Sequence, residues 1–189
     1  LTKELAGCVP TGSALAYLDT PDQAAARLVW GGAVPDGWSA FELGTEKLVV
    51  IVNPTNPAQS ISSAGLSLVF SGEILDWDYL GQAPGSVTAW SLPTTDESAS
   101  VALAGGIVLG SGDQFRLAPA PAELRAAVAA DPSAIGLLPA RFLDDSVREL
   151  VIDGLDPAAL SAPLLALTPQ EPQGALRAWL GCLQAKLAP

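Results

Sequence analysis

The sequence of 189 residues contains no histidine. The commonest general base and a common zinc ligand are thereby missing. Methionine is also absent. A chain that starts at Leu1 with no methionine is expected not to be a native translation product. The expectation is that upstream residues were removed, as a signal peptide, as a lipoprotein anchor or by trimming. Charged residues make up only 15%, with 9 Lys or Arg against 20 Asp or Glu, a formal net charge of -11. That balance argues against nucleic acid or an anionic membrane surface as partner. An anionic small ligand is disfavoured less, because a few local donors can overrule the global field. No apolar run approaches the roughly 20 residues that span a bilayer. Only two cysteines occur, Cys8 and Cys182. They are too far apart for a metal signature; an even count allows a disulfide, and two buried thiols are the alternative. There is no Gly-x-Ser-x-Gly elbow, and no pair of carboxylates is singled out by its spacing. The expectation is a protein that is not an enzyme and uses no cofactor and no metal.

What remains is a core-forming chain, 49% hydrophobic, long enough for one large domain or two small lobes. Residues 1–8 read as the end of an amphipathic helix, 14–18 as a short strand and 21–26 as a helical turn. Residues 28–30 read as a strand ending at Gly31-Gly32, and 34–44 as a loop rich in Gly, Pro and aromatics. Val49-Val50-Ile51-Val52 is a β-branched run typical of a strand buried on both faces. Asn53-Pro54 and Asn56-Pro57 end it, since proline withholds an amide and restricts its neighbour. A helix follows with Ser62 or Ser63 as N-cap and Leu66, Val69 and Phe70 on its apolar face. Ser71-Gly72 closes that helix, with Ile74, Leu75 and Trp77 packing back over its end.

Residues 87–92 read as a strand, 97–103 as a helix and 104–111 as a glycine-broken loop. A helix over 121–130 stops at Asp131-Pro132, and strands are expected at 134–139, 147–152 and 163–168. The closing helix, 173–187, carries Leu176, Trp179, Leu180 and Leu183 on one face. Alternating strands and helices imply an α/β fold.

The order within 48–77 (apolar strand, NPTNP, Leu-rich helix, FSGEILDW) closely resembles the type 2 periplasmic binding-protein superfamily, especially phosphate-binding proteins of ABC transporters. DPSAIGLLPARFLDDSVRELVIDG, 131–154, and EPQGALRAWLGCL, 171–183, are similar to later blocks of the same family. The resemblance implies a two-lobed α/β fold with a ligand cleft. Lobe one would be 1–48 plus 155–189, shortened at its N-terminus, and lobe two 49–154. It also returns the last helix beside the first, which implies a Cys8–Cys182 disulfide. Closing so long a loop contributes roughly 4–5 kcal/mol in the chain-entropy account.

The implied function is that of an extracytoplasmic solute-binding protein of an ABC-type uptake system, either periplasmic or a cell-surface lipoprotein. The implied partners are a small solute, an oxyanion among the candidates, and an ABC permease or other membrane partner. Nucleic acid is not expected, and the chain is expected to be a monomer. In phosphate-binding members the lobe-two helix opens with a Ser-Gly-Thr-like turn, and a nearby Arg completes the anion site. The matching stretch here, 92–98, offers Thr94, Thr95 and Ser98 but neither glycine nor arginine. Asp96 and Glu97 stand where an anion would bind, and read first as helix-capping residues. A degenerate sensor or interaction domain without a transported ligand is therefore the alternative. Further ligand candidates are Gly31 and Gly32, whose loop lines the cleft in that family, and Trp38. Arg141 is the last, with pairing to Asp144 or Asp145 as its structural alternative. Asp144-Asp145 and Asp153-x-x-Asp156 read as turn formers rather than calcium ligands.

Overall fold

A computed structural model describes residues 2–18, 23–82, 85–93, 97–110 and 115–187. Helix α1 (Thr2–Gly7) is followed by strand β1 (Arg27–Trp30), which ends at two left-handed glycines, Gly31 and Gly32. Their φ values of 69° and 83° suit glycine, which has no Cβ to collide with the backbone. Strand β2 (Ser39–Val52) is 14 residues long. The expected loop over 34–44 is thus corrected: from Ser39 onward the chain is strand. Phe41 and Leu43 alternate with the exposed Ala40 and Glu42, a period of two that the preceding Gly/Pro cluster obscures. Strand β3 (Ser60–Ser62) runs directly into α2 (Ser63–Ser71). Ser62 caps that helix by accepting the Gly65 N–H, and Gly72 ends it in the left-handed conformation. Trp77 packs back as expected, whereas Leu75 is 48% exposed.

Strand β4 (Thr88–Ser91), α3 (Glu97–Ala104), β5 (Phe115–Leu117), α4 (Pro121–Ala130) and β6 (Ala134–Pro139) follow. The expected strand 147–152 is two strands, β7 (Arg148–Glu149) and β8 (Val151–Asp153). The break comes at buried Leu150, where the chain changes partner from β2 to β3. Strand β9 (Ser161–Thr168) and α5 (Gly174–Leu187) complete the chain. The strand expected at 14–18 does not form; those residues belong to no helix or strand. The turn expected at 21–26 lies partly outside the described residues; of the rest, Gln23 sits in a 3-10 turn and 24–26 are not helical.

The chain divides into two compact units, residues 1–45 with 162–189, and residues 46–161. In the first, β9 lies between β1 and β2, antiparallel to β1 with Arg27 opposite Leu167. Helices α1 and α5 share a core of Leu5, Leu43, Ala166, Trp179, Leu180 and Leu183. Cys8 and Cys182 form a disulfide between them, their Cα atoms 5.6 Å apart. The Trp179 indole N–H donates to the Leu5 carbonyl at 3.0 Å.

In the second unit, residues 48–52 of β2 pair antiparallel with β6, Leu48 opposite Pro139 and Val52 opposite Ile135. Strands β4 and β6 are parallel, as are β4 and β5. Helix α4 covers one face through Leu124 and Val128, packed on Val49, Ile51, Ala134 and Leu138. Gly136 of β6 permits this close approach: a Cβ there would lie 2.9 Å from both Leu124 Cδ2 and Val128 Cγ2. The two Asn-Pro turns are buried hubs. Asn53 Nδ2 donates to Ala129 O at 2.6 Å, and Asn56 Nδ2 to Pro132 O at 2.8 Å. Arg148 closes the same turn by donating to the carbonyls of Asn56 and Ala58. Among the described residues no helix is long and apolar enough to cross a membrane.

Candidate functional site

Parallel strands carry their following loops to one end of a sheet, and in open α/β sheets that end is where ligands bind. In the second unit β4, β5 and β6 run parallel. Their continuations are residues 92–98, 118–120 and 140–142, so the start of α3 and Arg141 share one end of this sheet. Helix α3 begins at Glu97. Its first-turn N–H groups have no partner within the helix, and the positive end of the helix dipole lies at this terminus. Two hydroxyl residues flank the approach, Ser91 at 2% exposure and Ser98 at 3%. Glu97 is exposed in the first turn.

Arg141 follows β6 and lies over the Phe142 ring at 4.9 Å. Its expected partners, Asp144 or Asp145, are not the ones it takes. Arg141 Nη1 binds Glu46 Oε2 at 2.7 Å, and its backbone N–H donates to the same carboxylate. The reason is register: Leu48 faces Pro139 across the β2–β6 ladder, which brings Glu46 beside Arg141. Asp144 is held instead by Arg125 at 2.9 Å and by the hydroxyl and N–H of Ser146. These hydrogen bonds, and then Arg125, hold the Asp144 carboxyl below the usual carboxylate range. Asp144 is thus a turn former, as is Asp156, which accepts the Ala158 N–H. Glu46 as the partner of Arg141 escaped sequence reasoning because 34–44 read as loop, leaving no register to extend across the sheet.

The cation at this sheet end is therefore already matched by a carboxylate, and the first turn of α3 adds another. An incoming anion would meet the carboxylates of Glu46 and Glu97 at the same sheet end. A neutral polar solute meets the hydroxyl residues Ser91 and Ser98, and a cationic one meets Glu97 as well. Thr94, Thr95 and Asp96 lie outside the described residues. On β4, the Trp90 indole N–H is buried without an acceptor.

The remaining candidates belong to the first unit. Gly31 turns the chain after β1, donating its N–H to Pro163 O at 2.8 Å. Trp30 is a core residue, 4% exposed. Trp38 is half-buried, with the Arg27 guanidinium 4.5 Å from its ring centroid. Among the described residues no three His, Cys, Asp or Glu side chains converge as a metal site would require.

Neither a family model nor a curated protein matches this sequence. Solved structures do match. One is a phosphate ABC-transporter substrate-binding protein of Clostridium perfringens with bound phosphate. The match has a TM-score of 0.74 at 14% identity over 85% of this chain and 72% of that one. An ABC-type phosphate transport receptor of Vibrio cholerae is similar at a TM-score of 0.70, with 17% identity over 86% and 76%. The regulatory domain of MetR, a LysR family regulator from N. meningitidis, is similar at 0.58, with 15% identity over 87% and 73%. At these identities the likeness is one of architecture. The chain has the mixed α/β fold of the type 2 periplasmic binding proteins.

Proposed function

We propose that this chain is the solute-binding component of an ABC-type uptake system, working outside the cytoplasm with a permease as its partner. The observation that carries this reading is the combination of fold and sheet end. The fold is shared with phosphate transport receptors, and the end of the parallel strands carries the start of α3 and the buried Ser91 and Ser98. The Cys8–Cys182 disulfide supports an oxidising compartment. The solute is polar and not anionic: Glu97 occupies the first turn of α3 and Arg141 is matched by Glu46. Thr94, Thr95, Asp96 and Ser98 supply its contacts.

A thermal-shift screen with phosphate, sulfate, neutral sugars and small amines tests this reading. A solute at about 100 times its Kd stabilises the native state by roughly 2.7 kcal/mol. A rise in Tm with a neutral or cationic solute, and none with phosphate or sulfate, is the expected result. The carboxylates at the start of α3 also favour a second reading, a sensor or interaction domain with no transported solute. No rise with any solute class selects that second reading.

A further inference from the structure

Helix α2 turns one apolar ridge outward. Ala64 and Leu68 stand about one helical turn apart on it, both exposed, opposite the buried Leu66, Val69 and Phe70. The chain comes back beside this ridge twice. Residues 73–80 cross the end of α2, where the N–H groups of Glu73 and Ile74 donate to Leu68 O, and return to Gly65, where Leu80 Cδ2 would lie 2.9 Å from an added Cβ. Residues 106–110 follow the opposite flank: Ser67 Oγ donates to Gly106 O at 2.9 Å, and the Gly110 N–H donates to Phe70 O at 2.7 Å. These flanks add Leu75, Tyr79 and Val108, exposed at 48%, 80% and 55%, to Leu68 at 36%. Four of the seven exposed large hydrophobics described in the second unit thus gather around one helix, where single scattered ones would need no explanation.

The rim of this surface is acidic. Glu73 and Asp78 are exposed, and the Asp76 carboxylate accepts the N–H groups of Asp78 and Gly85. No lysine or arginine occurs between Lys47 and Arg116, so neither α2 nor its two flanks contribute a positive charge. The unit's own cations are engaged on other elements. Lys47, Arg125 and Arg141 pair with Glu149, Asp144 and Glu46; Arg148 donates to the carbonyls of Asn56 and Ala58, and Arg116 belongs to β5.

We infer that this surface docks an amphipathic helix of a protein partner, apolar on one face and flanked by lysine or arginine. Shape points to a helix: the Ala64–Leu68 ridge lies between two flanks, and a second helix packs by setting its own ridge beside such a ridge. Charge points to a basic one. Lysine or arginine is attracted to Glu73 and Asp78, whereas a second copy of this chain, at a net charge of -11, and an anionic bilayer are repelled. The apolar centre supplies affinity, and the acidic rim supplies orientation and encounter rate. The inference requires no bound solute and stands apart from the proposed function.

The probe is a fluorescein-labelled helical peptide of about 14 residues, with leucines at helical spacing on one face and lysines elsewhere, followed by anisotropy on the intact protein. Saturable binding with a Kd below about 100 µM is expected. A peptide of the same composition, its leucines scattered around the helix, should bind at least about tenfold more weakly. Leu68→Ser and Leu75→Ser, both at exposed positions, should each weaken binding about fivefold or more while the folding transition is retained. Glu73→Gln combined with Asp78→Asn should weaken it and flatten its salt dependence. Leu117→Ser, at an exposed leucine on β5, should leave binding unchanged. No binding up to about 1 mM overturns the inference. So does equal binding of the scattered peptide, which would mark attraction by charge alone, or equal weakening by Leu117→Ser. A dimer of this chain that the peptide does not displace, or phosphatidylcholine vesicles held through Leu68 and Leu75 in preference to the peptide, would assign the surface to another occupant and likewise overturn it.

Discussion

Gly136→Ala is a one-methyl perturbation whose cost can be worked from its surroundings. The new Cβ would lie 2.9 Å from Leu124 Cδ2, 2.9 Å from Val128 Cγ2 and 3.3 Å from Ile51 Cγ1. Two of these contacts are closer than carbon atoms tolerate, and both belong to the helix that covers the sheet. Leu124 and Val128 are 0% exposed, so neither side chain can swing into solvent. Relief requires α4 to lift from β6, the overpacking case, at about 1–3 kcal/mol. For a chain of this size that lowers Tm by about 3–10 °C. Denaturant unfolding should show a lower midpoint with an unchanged slope. Val128→Ala in the same background removes one of the two clashing methyl groups. The double variant should therefore be more stable than the sum of the singles, by about 1 kcal/mol or more. A Gly136→Ala protein melting with the wild type, or strict additivity with Val128→Ala, would refute the packing argument.

The other predictions concern covalent, polar and ionic terms. Replacing both Cys8 and Cys182 by serine opens a link across 174 positions. It should cost up to about 5 kcal/mol in denaturant melts, and an unchanged midpoint would contradict the loop-entropy account. Trp90→Phe removes an indole N–H that is buried without an acceptor. The desolvation recovered, about 1–3 kcal/mol, offsets the smaller ring, so stability should stay within about 1 kcal/mol of wild type; a larger loss would show that the N–H has a partner in solution. Asp76 accepts the N–H groups of Asp78 and Gly85, and Asp144 the hydroxyl and N–H of Ser146; both carboxyls are held below the usual range. Their folded pKa values lie below the unfolded ones, so their stabilisation is complete above about pH 4 and lost as pH falls through the folded values. Asp76→Asn and Asp144→Asn should lower stability near neutral pH and flatten the acid limb of a stability–pH curve, converging with the wild type in acid; an unaltered acid limb would contradict the assignment.

Much of this fold is legible in the sequence where one local signal dominates. Val49–Val52 with its two Asn-Pro turns, Ser62 as N-cap, Gly72 as helix stop and the apolar face of α5 each follow from short-range chemistry. The family resemblance carried by 48–77 and 131–154 supplied the architecture, and the return of the last helix beside the first explains the disulfide. What was not legible depends on pairing across the chain. Residues 39–44 read as loop because Gly31, Gly32, Pro35 and Gly37 precede them; only the ladders of β2 show that they are strand. Residues 14–18 have the composition of a strand but pair with no strand among the described residues. The same dependence hid the Glu46 partner of Arg141, because an ion pair across 95 positions follows from register and not from spacing.

Whether a small solute engages the start of α3 is the central claim, and hydrogen exchange at the backbone amides of Glu97, Ser98 and Ala99 tests it most directly. Exchange is measured on the intact protein without ligand, with the neutral or cationic solute that raises Tm, and with phosphate. The account predicts slowed exchange at these three amides with that solute and none with phosphate. Protection by phosphate, or a stabilising solute that leaves these amides unchanged, would contradict it.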